Sequence, residues 1–327
     1  MADPVEQYRN RPHVRNDLAD HPTIKGFDLA EDLDVQSLLK AFGAFGFQAS
    51  NLSEALEVIK AMRRENATIF FGCTSNMVSS GNRELIRYLV EHKYIDALVT
   101  TAGGVEEDII KCFGPFKLGS FRVPGKLLKD EAIHRIGNIW VPTDRYTDLD
   151  KFLSKLFDEV FAVKEQIGVS ELLKVVGERL DHDESILTWA ARNDIPVLCP
   201  AVHDGAFGDI LYFRTHQNKD ITLDIAWENK ILFDLANNSD KTGAIILGGG
   251  VSKHFILNAN ILRDGLDYLV NINTAEEFDG SDSGGHLEEA VTWMKVKEDA
   301  LKVKVHSEAT IAFPLLASAW MSWERSR

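Results

Sequence analysis

Short apolar runs rich in β-branched residues alternate, from Phe27 onward, with longer stretches in which apolar residues recur three and four positions apart. The short runs predict strands at 68–71, 97–100, 138–141, 197–199, 244–247, 268–272 and 303–305. The longer stretches predict helices at 34–43, 52–65, 82–92, 148–167, 171–179, 183–193, 253–263 and 309–323. Strands this short and apolar, separated by amphipathic helices, are the pattern of βαβ units around a sheet buried on both faces. The expected fold is α/β: a mainly parallel sheet with helices on both faces. Residues 1–20 are polar and mixed in charge and read as an N-terminal arm. Residues 21–327 contain no repeat, low-complexity tract or clear linker and read as a single domain.

The polar loops share one position. GCTSNMVSSGN, TAGGVEED, PAVHDGAFGD, GGGVSKH, NTAEEFDGSDSGG and HSEA each follow the carboxyl end of a predicted strand. In an open parallel sheet those ends lie along one edge, where ligands bind. Six loops distant in sequence are thus expected to converge, which outweighs any single motif.

Gly248, Gly249 and Gly250 stand between a strand and a helix expected to start near Lys253. Glycines there let a ligand approach the backbone, and the helix N-terminus favours an anion such as a pyrophosphate. A tight strand-to-helix turn explains them equally well. The run from Thr101 to Gly104 reads the same way. Ser75, Asn76, Ser79 and Ser80 offer hydroxyls and an amide, though such residues also serve as caps. His254, expected in the first helical turn, is disfavoured as a cation there and suits a base, although a histidine is more often a packing or capping residue. Asp204 and Asp209 flank a GAFG turn and could hold hydroxyls or an ammonium; Asp-Gly also turns without any ligand.

The stretch 278–297 carries the most chemistry. Asp279 and Asp282 lie in a glycine-rich loop, Glu288 and Glu289 open a helical turn, and Lys295 follows Trp293 and Met294. A lysine among apolar neighbours is expected to be partly desolvated, which disfavours the ammonium form and leaves a nucleophilic amine. Trp293 adds a π-face for a cation.

Charge narrows the partners. Lys and Arg total 36 against 50 Asp and Glu, a net −14. Nucleic acid is not an expected partner, because phosphate binding needs a basic surface, whereas cationic ligands suit this balance. Cys73, Cys112 and Cys199 are three and widely spaced, so neither a disulfide framework nor a thiolate metal site is expected, and no histidine pair stands at ligand spacing. The N-terminus has no apolar core of a secretory signal, and the longest apolar stretch, 310–321, is short of a membrane span and broken by Pro314. A soluble, cytoplasmic protein is expected.

With these residues in place, the chain resembles the deoxyhypusine synthase family from about residue 21 to 316. The strings that carry the resemblance are TSNMVSSG (74–81), LVTTAGGVEEDIIKC (98–112), RIGNIWVP (135–142), DGAFGD (204–209), IILGGGVSKH (245–254), NTAEEFDGSDSG (273–284) and EAVTWMK (289–295). The resemblance implies a Rossmann-like domain assembled as a homotetramer with active sites between paired subunits. It implies NAD as cofactor, spermidine as donor of an aminobutyl group, release of 1,3-diaminopropane, and a lysine of the translation factor 5A precursor as acceptor. It makes Lys295 the imine-forming lysine and His254 the catalytic histidine. Asp209, Gly280, Ser281, Asp282, Glu289 and Trp293 match the polyamine pocket, and Glu106 and Glu107 the acidic pair between polyamine and NAD. Ser75, Asn76, Met77, Val78, Ser79, Thr101, Ala102, Gly103, Asp204, Gly249, Thr274, Ala275 and Glu308 match the NAD site. The arm resembles a segment that covers a neighbouring subunit's site.

Asn271 stands where eukaryotic members carry tyrosine, Ala206 where they carry serine, and Ser307-Glu308 where they carry Ala-Asp. Asn271 and Ala206 are expected to border the amine. Homospermidine synthase, with putrescine as acceptor on the same scaffold, is the alternative the motifs leave open.

Overall fold

The structure, a computed structural model, describes residues 21–217 and 222–327; the proposed arm lies outside them. The strands are β1 (Thr68–Cys73), β2 (Ala97–Val99), β3 (Lys117–Leu118), β4 (Ile133–Ile136), β5 (Ile139–Pro142), β6 (Gln166–Gly168), β7 (Val197–Leu198), β8 (Thr222–Asp224), β9 (Thr242–Leu247), β10 (Leu266–Asn273) and β11 (Val296–His306). Six of them form one sheet in the order β11-β10-β9-β1-β2-β7, and every pair in it is parallel. The fold is α/β and Rossmann-like, because this order is that of the doubly wound dinucleotide-binding sheets.

The pleat explains the two layers. Successive strand residues point to opposite faces. Ile69, Phe71 and Cys73 therefore join one core with the helices Phe47–Arg64, Ala102–Phe113 and Ala309–Ser326. Phe70, Ala244, Ile246 and Leu269 point the other way and meet the helices Ile225–Asn237 and Gly250–Ala259. Burial on both faces is why these strands are apolar throughout rather than alternating.

Several expectations are corrected. The run at 138–141 is a strand, β5, but it pairs antiparallel with β3 and β4 outside the main sheet. The helix expected over 148–167 runs Asp144–Phe161, and its last residues form β6, which pairs with the distant β8. The expected loop around Gly103 and Gly104 is the first turn of the Ala102–Phe113 helix. These glycines permit close packing: a Cβ on Gly103 would lie 2.9 Å from the Ser75 Cβ, and one on Gly104 2.3 Å from the Thr100 hydroxyl. The helices Ala206–Thr215 and Ile225–Asn237 were not expected. Among the described residues no helix is long and apolar enough to cross a membrane.

Candidate active site

The chain passes from β1 to β2 and β7 on one side, then returns to β9 and proceeds to β10 and β11 on the other. Strand order reverses between β1 and β9, and a crevice opens there at the carboxyl edge. Two loops flank it. Thr74 and the Ser75–Ser79 helix follow β1, and Gly248 to Gly250 follow β9. They touch: the Thr74 N–H donates to Leu247 O at 3.4 Å, and a Cβ on Gly248 would lie 3.0 Å from the Thr74 hydroxyl. Gly248 has φ +97°, a left-handed conformation that favours glycine. The amino ends of the Ala102–Phe113 and Gly250–Ala259 helices reach the same edge, so their positive dipole ends face it.

The residues fit a dinucleotide. The Thr101 hydroxyl is buried without a partner. Beside it a cleft of ≈ 940 Å³ is lined by Asn76, Ser79, Glu308 and Thr310 on one side and by Lys111, Phe116 and the β4–β5 turn on the other; neither Thr101 nor the triple glycine lines it. Glu308 also caps the last helix, accepting from Thr310 N at 3.0 Å. Thr274 and Ala275 directly follow β10, and Ala275 O accepts from Lys304 Nζ at 3.3 Å. Met77 and Val78 are buried and point into the core.

Glu106 and Glu107 lie one helical turn inside the Ala102–Phe113 helix and are 5% and 6% exposed. Glu106 accepts from Phe207 N at 2.8 Å. Burial first, then Asp209 and Asp204, push its carboxyl above the usual range. Glu107 accepts from the Ser79 hydroxyl. Burial pushes it up to about 7, with Ser79 and Lys111 pulling it back and Glu106 adding to the rise. Tyr146, not singled out from sequence, is pushed up to about 12 by burial and by both glutamates.

Because Glu107 is raised on folding, its protonated form is favoured in the native state. Its contribution to stability is full below the unfolded value near 4.5 and is lost as pH rises through about 7. Glu107→Gln should therefore melt higher than wild type at pH 8.5, with the gap closing towards pH 5. Parallel melting curves at the two pH values check this; a gap independent of pH would refute it.

A second cavity, of ≈ 480 Å³, is lined by Lys253, His254, Gly280, Asp282, Glu289, Trp293 and Lys295 among others. Lys295 Nζ lies 3.1 Å from His254 Nε2 and 5.9 Å from the centre of the Trp293 ring. Asp282 Oδ2 is buried without a hydrogen-bond partner, and Lys253 Nζ stands 3.9 Å from it. Lys253 is buried, and burial disfavours its ammonium form while Asp282 supports it. Sequence reading overlooked this second lysine. Ser281 is exposed, and its N–H donates to Asp279 Oδ1 at 2.7 Å.

Three site expectations change. Lys295 precedes β11, its carbonyl accepting from Leu266 N at 3.0 Å. Of its apolar sequence neighbours Val296 is buried, but Trp293 is 62% and Met294 55% exposed, so the shelter is one-sided. The helix begins at Gly250, which puts His254 in the second turn, beyond the strongest reach of the helix terminus. Asn271 does not border the amine groove; it is wholly buried below the Gly248 turn, to whose carbonyl it donates at 3.0 Å.

Within one chain the residues matched to the polyamine site fall into two groups. The Ala102–Phe113 helix, with Glu106 and Glu107, packs on one face of the sheet through Val105 and Ile109. The Gly250–Ala259 helix, with His254, packs on the other through Ile256 and Leu257. Asp209 stays with the first group, while Asp282, Glu289, Trp293 and Lys295 join the second. Among the described residues no hydrogen bond or ion pair joins the two.

The deoxyhypusine synthase family model matches residues 37–320. A deoxyhypusine synthase of Senecio vernalis is 42% identical over 334 residues, covering 93% of this chain and 90% of that protein. A Methanocaldococcus jannaschii relative is 45% identical over 312 residues, covering 90% of this chain and 94% of its own. A crystal structure from Entamoeba histolytica, described under the same enzyme name, superposes with TM-score 0.67 at 29% identity, covering 91% of this chain and 97% of that one. The chain belongs to the deoxyhypusine synthase family.

Proposed function

We propose that the protein transfers the aminobutyl group of spermidine to a lysine of the translation factor 5A precursor, with NAD as cofactor and Lys295 as the transient carrier. The observation that carries this reading is the Lys295–His254 pair, 3.1 Å apart, in a groove where an Asp282 oxygen is buried without a hydrogen bond, its nearest cation being Lys253 at 3.9 Å. A buried carboxylate oxygen without a hydrogen bond is destabilising, and an ammonium of the substrate supplies the close donor that Lys253, at 3.9 Å, does not.

When bound, NAD supplies the two-electron chemistry, oxidising the carbon beside the substrate nitrogen to an imine and later reducing the product. Ser75, Ser79, Thr101, Gly249, Glu308 and the helix ends at the crevice would hold it. The chain's residues do the rest. Asp282 and Glu289 bind ammonium groups, and the Trp293 ring covers them. Lys295 Nζ forms a bond to the imine carbon as the bond to 1,3-diaminopropane breaks. His254 Nε2 takes the proton that Lys295 gives up and returns one to the leaving amine. The acceptor lysine then displaces Lys295 by the same exchange. Glu106, Glu107 and Asp209 reach the amine only if a second copy of the chain brings its opposite face to the groove, which accords with a homo-oligomeric enzyme. The alternative acceptor, putrescine, is not favoured.

Incubation with NAD and labelled spermidine, followed by borohydride and peptide mapping, should find the four-carbon adduct on Lys295. The label should pass to the translation factor precursor in preference to putrescine when both are present. An adduct on another residue, or none, would sink the reading. Asp282→Asn should weaken spermidine roughly 10- to 100-fold, the worth of a charged hydrogen bond, and NAD by no more than about twofold. Equal losses for both ligands in direct titrations would remove Asp282 from the amine site.

A further inference from the structure

Strand β10 is buried along its whole length, yet two of its last three residues are asparagines. Amides in such a place are destabilising unless their donors and acceptors are met. Here they are met largely by the two loops that flank the proposed ligands. Asn271 Nδ2 donates to Gly248 O at 3.0 Å and to Ile246 O at 3.3 Å. Asn271 Oδ1 accepts from Asn273 Nδ2 at 2.7 Å. Asn273 Nδ2 also donates to Ser283 O at 3.1 Å and, more weakly, to Gly248 O at 3.4 Å. Asn273 Oδ1 accepts from Ala275 N at 3.1 Å. Above this layer the Gly250 N–H donates to the Ser283 hydroxyl at 2.8 Å, and a Cβ on Gly249 would lie 2.6 Å from Ser283.

The two loops are thus clamped at two levels. Gly249 borders the crevice, and Asp282, beside Ser283, borders the amine groove. The path from Gly248 O through Asn271 and Asn273 to Ser283 O fixes one against the other. We propose that Asn271 and Asn273 act as one positioning unit that sets the triple-glycine turn, and with it the cofactor, against Asp282 and the amine. Neither residue needs to touch a ligand; both act through Gly248 and Ser283. This rests on the function proposed above. A misplacement of about 1 Å between reacting groups can slow a reaction roughly a hundredfold while each group still binds.

The test uses Asn271→Val, Asn273→Asp and the double variant of the full-length protein. Asn273→Asp keeps an acceptor for Ala275 and loses both donors. The readouts are kcat for 1,3-diaminopropane release, separate NAD and spermidine titrations, and melting temperature. Each single variant should lose roughly 10- to 100-fold in kcat, with both affinities within about threefold of wild type. The double variant should be no more than about threefold slower than the slower single, because residues in one network are not additive. A variant that melts lower but keeps kcat within about threefold would reduce the pair to a structural role. Single effects that multiply in the double would break the claim of one unit. If Asn273→Asp does not fold, Asn271→Val carries the kcat test alone, since it places a β-branched residue in a buried strand. Wild-type protein that releases no 1,3-diaminopropane overturns the proposed function, and this role falls with it.

Discussion

Lys295→Arg should fold, bind NAD and turn over at least roughly a thousandfold more slowly than wild type. An arginine remains charged at any workable pH, so it has no lone pair to offer a carbon. Its longer side chain still reaches the Trp293 ring and the Asp282 region, so binding of the cofactor on the far side of the turn should be spared. Folding should be spared as well, because Lys295 is only half-buried and its side-chain polar contact is His254. Release of 1,3-diaminopropane, an NAD titration and a melting curve separate these outcomes. Turnover within about tenfold of wild type would mean that another residue carries the aminobutyl group.

Asp108→Ala should lower stability by about 3–5 kcal/mol, the effect of leaving a buried charge without its partner. Arg83 is only 2% exposed, and its Nε donates to Asp108 Oδ1 at 2.8 Å. The same carboxylate accepts from the Ser185 hydroxyl at 2.7 Å and from Ile186 N and Leu187 N at 3.0 Å each. It therefore ties the Ala102–Phe113 helix to the Asn82–Glu91 helix and to the first turn of the Ile186–Asn193 helix at once. Alanine removes the carboxylate at hydrogen-bond distance from the guanidinium, leaving Glu84 and Glu184 at 3.7 and 4.0 Å, and strips that first turn of its acceptor. Chemical denaturation should show the loss as a lower midpoint at unchanged slope. A loss below about 1 kcal/mol would mean that Arg83 finds another partner or water.

Asp108 sits one residue from Glu107, in a string that sequence reading treated as a glycine loop. That error has a local cause: two adjacent glycines lower helix propensity and mimic a turn. Their actual use, close approach to Ser75 and Thr100, depends on elements distant in sequence. The helix over Ile225–Asn237 was missed because its apolar residues do not keep to one face, Ile225 and Trp227 being exposed and Glu228 buried, and β6 was absorbed into a helix because its partner, β8, is far along the chain. The main strands were legible because burial on both faces demands continuous apolar runs; the run at 138–141 reads the same way, and only its pairing shows that it lies outside the main sheet.

The site divides along the same line. Residue types and their order were enough to expect the parallel sheet, the carboxyl-edge loops and the family, and to single out Lys295 and His254, which the fold brings 3.1 Å apart. Those are local properties, written as hydrophobic period and short strings. The reach of Lys295 across from the foot of β11, the exposure of Trp293, the buried amides under Gly248 and the placement of Glu106 and His254 on opposite faces were not legible. Each depends on which faces of separate helices pack against which side of the sheet. Such through-space relations arise when distant segments bury their apolar stripes together, and no window of sequence contains both halves of the contact.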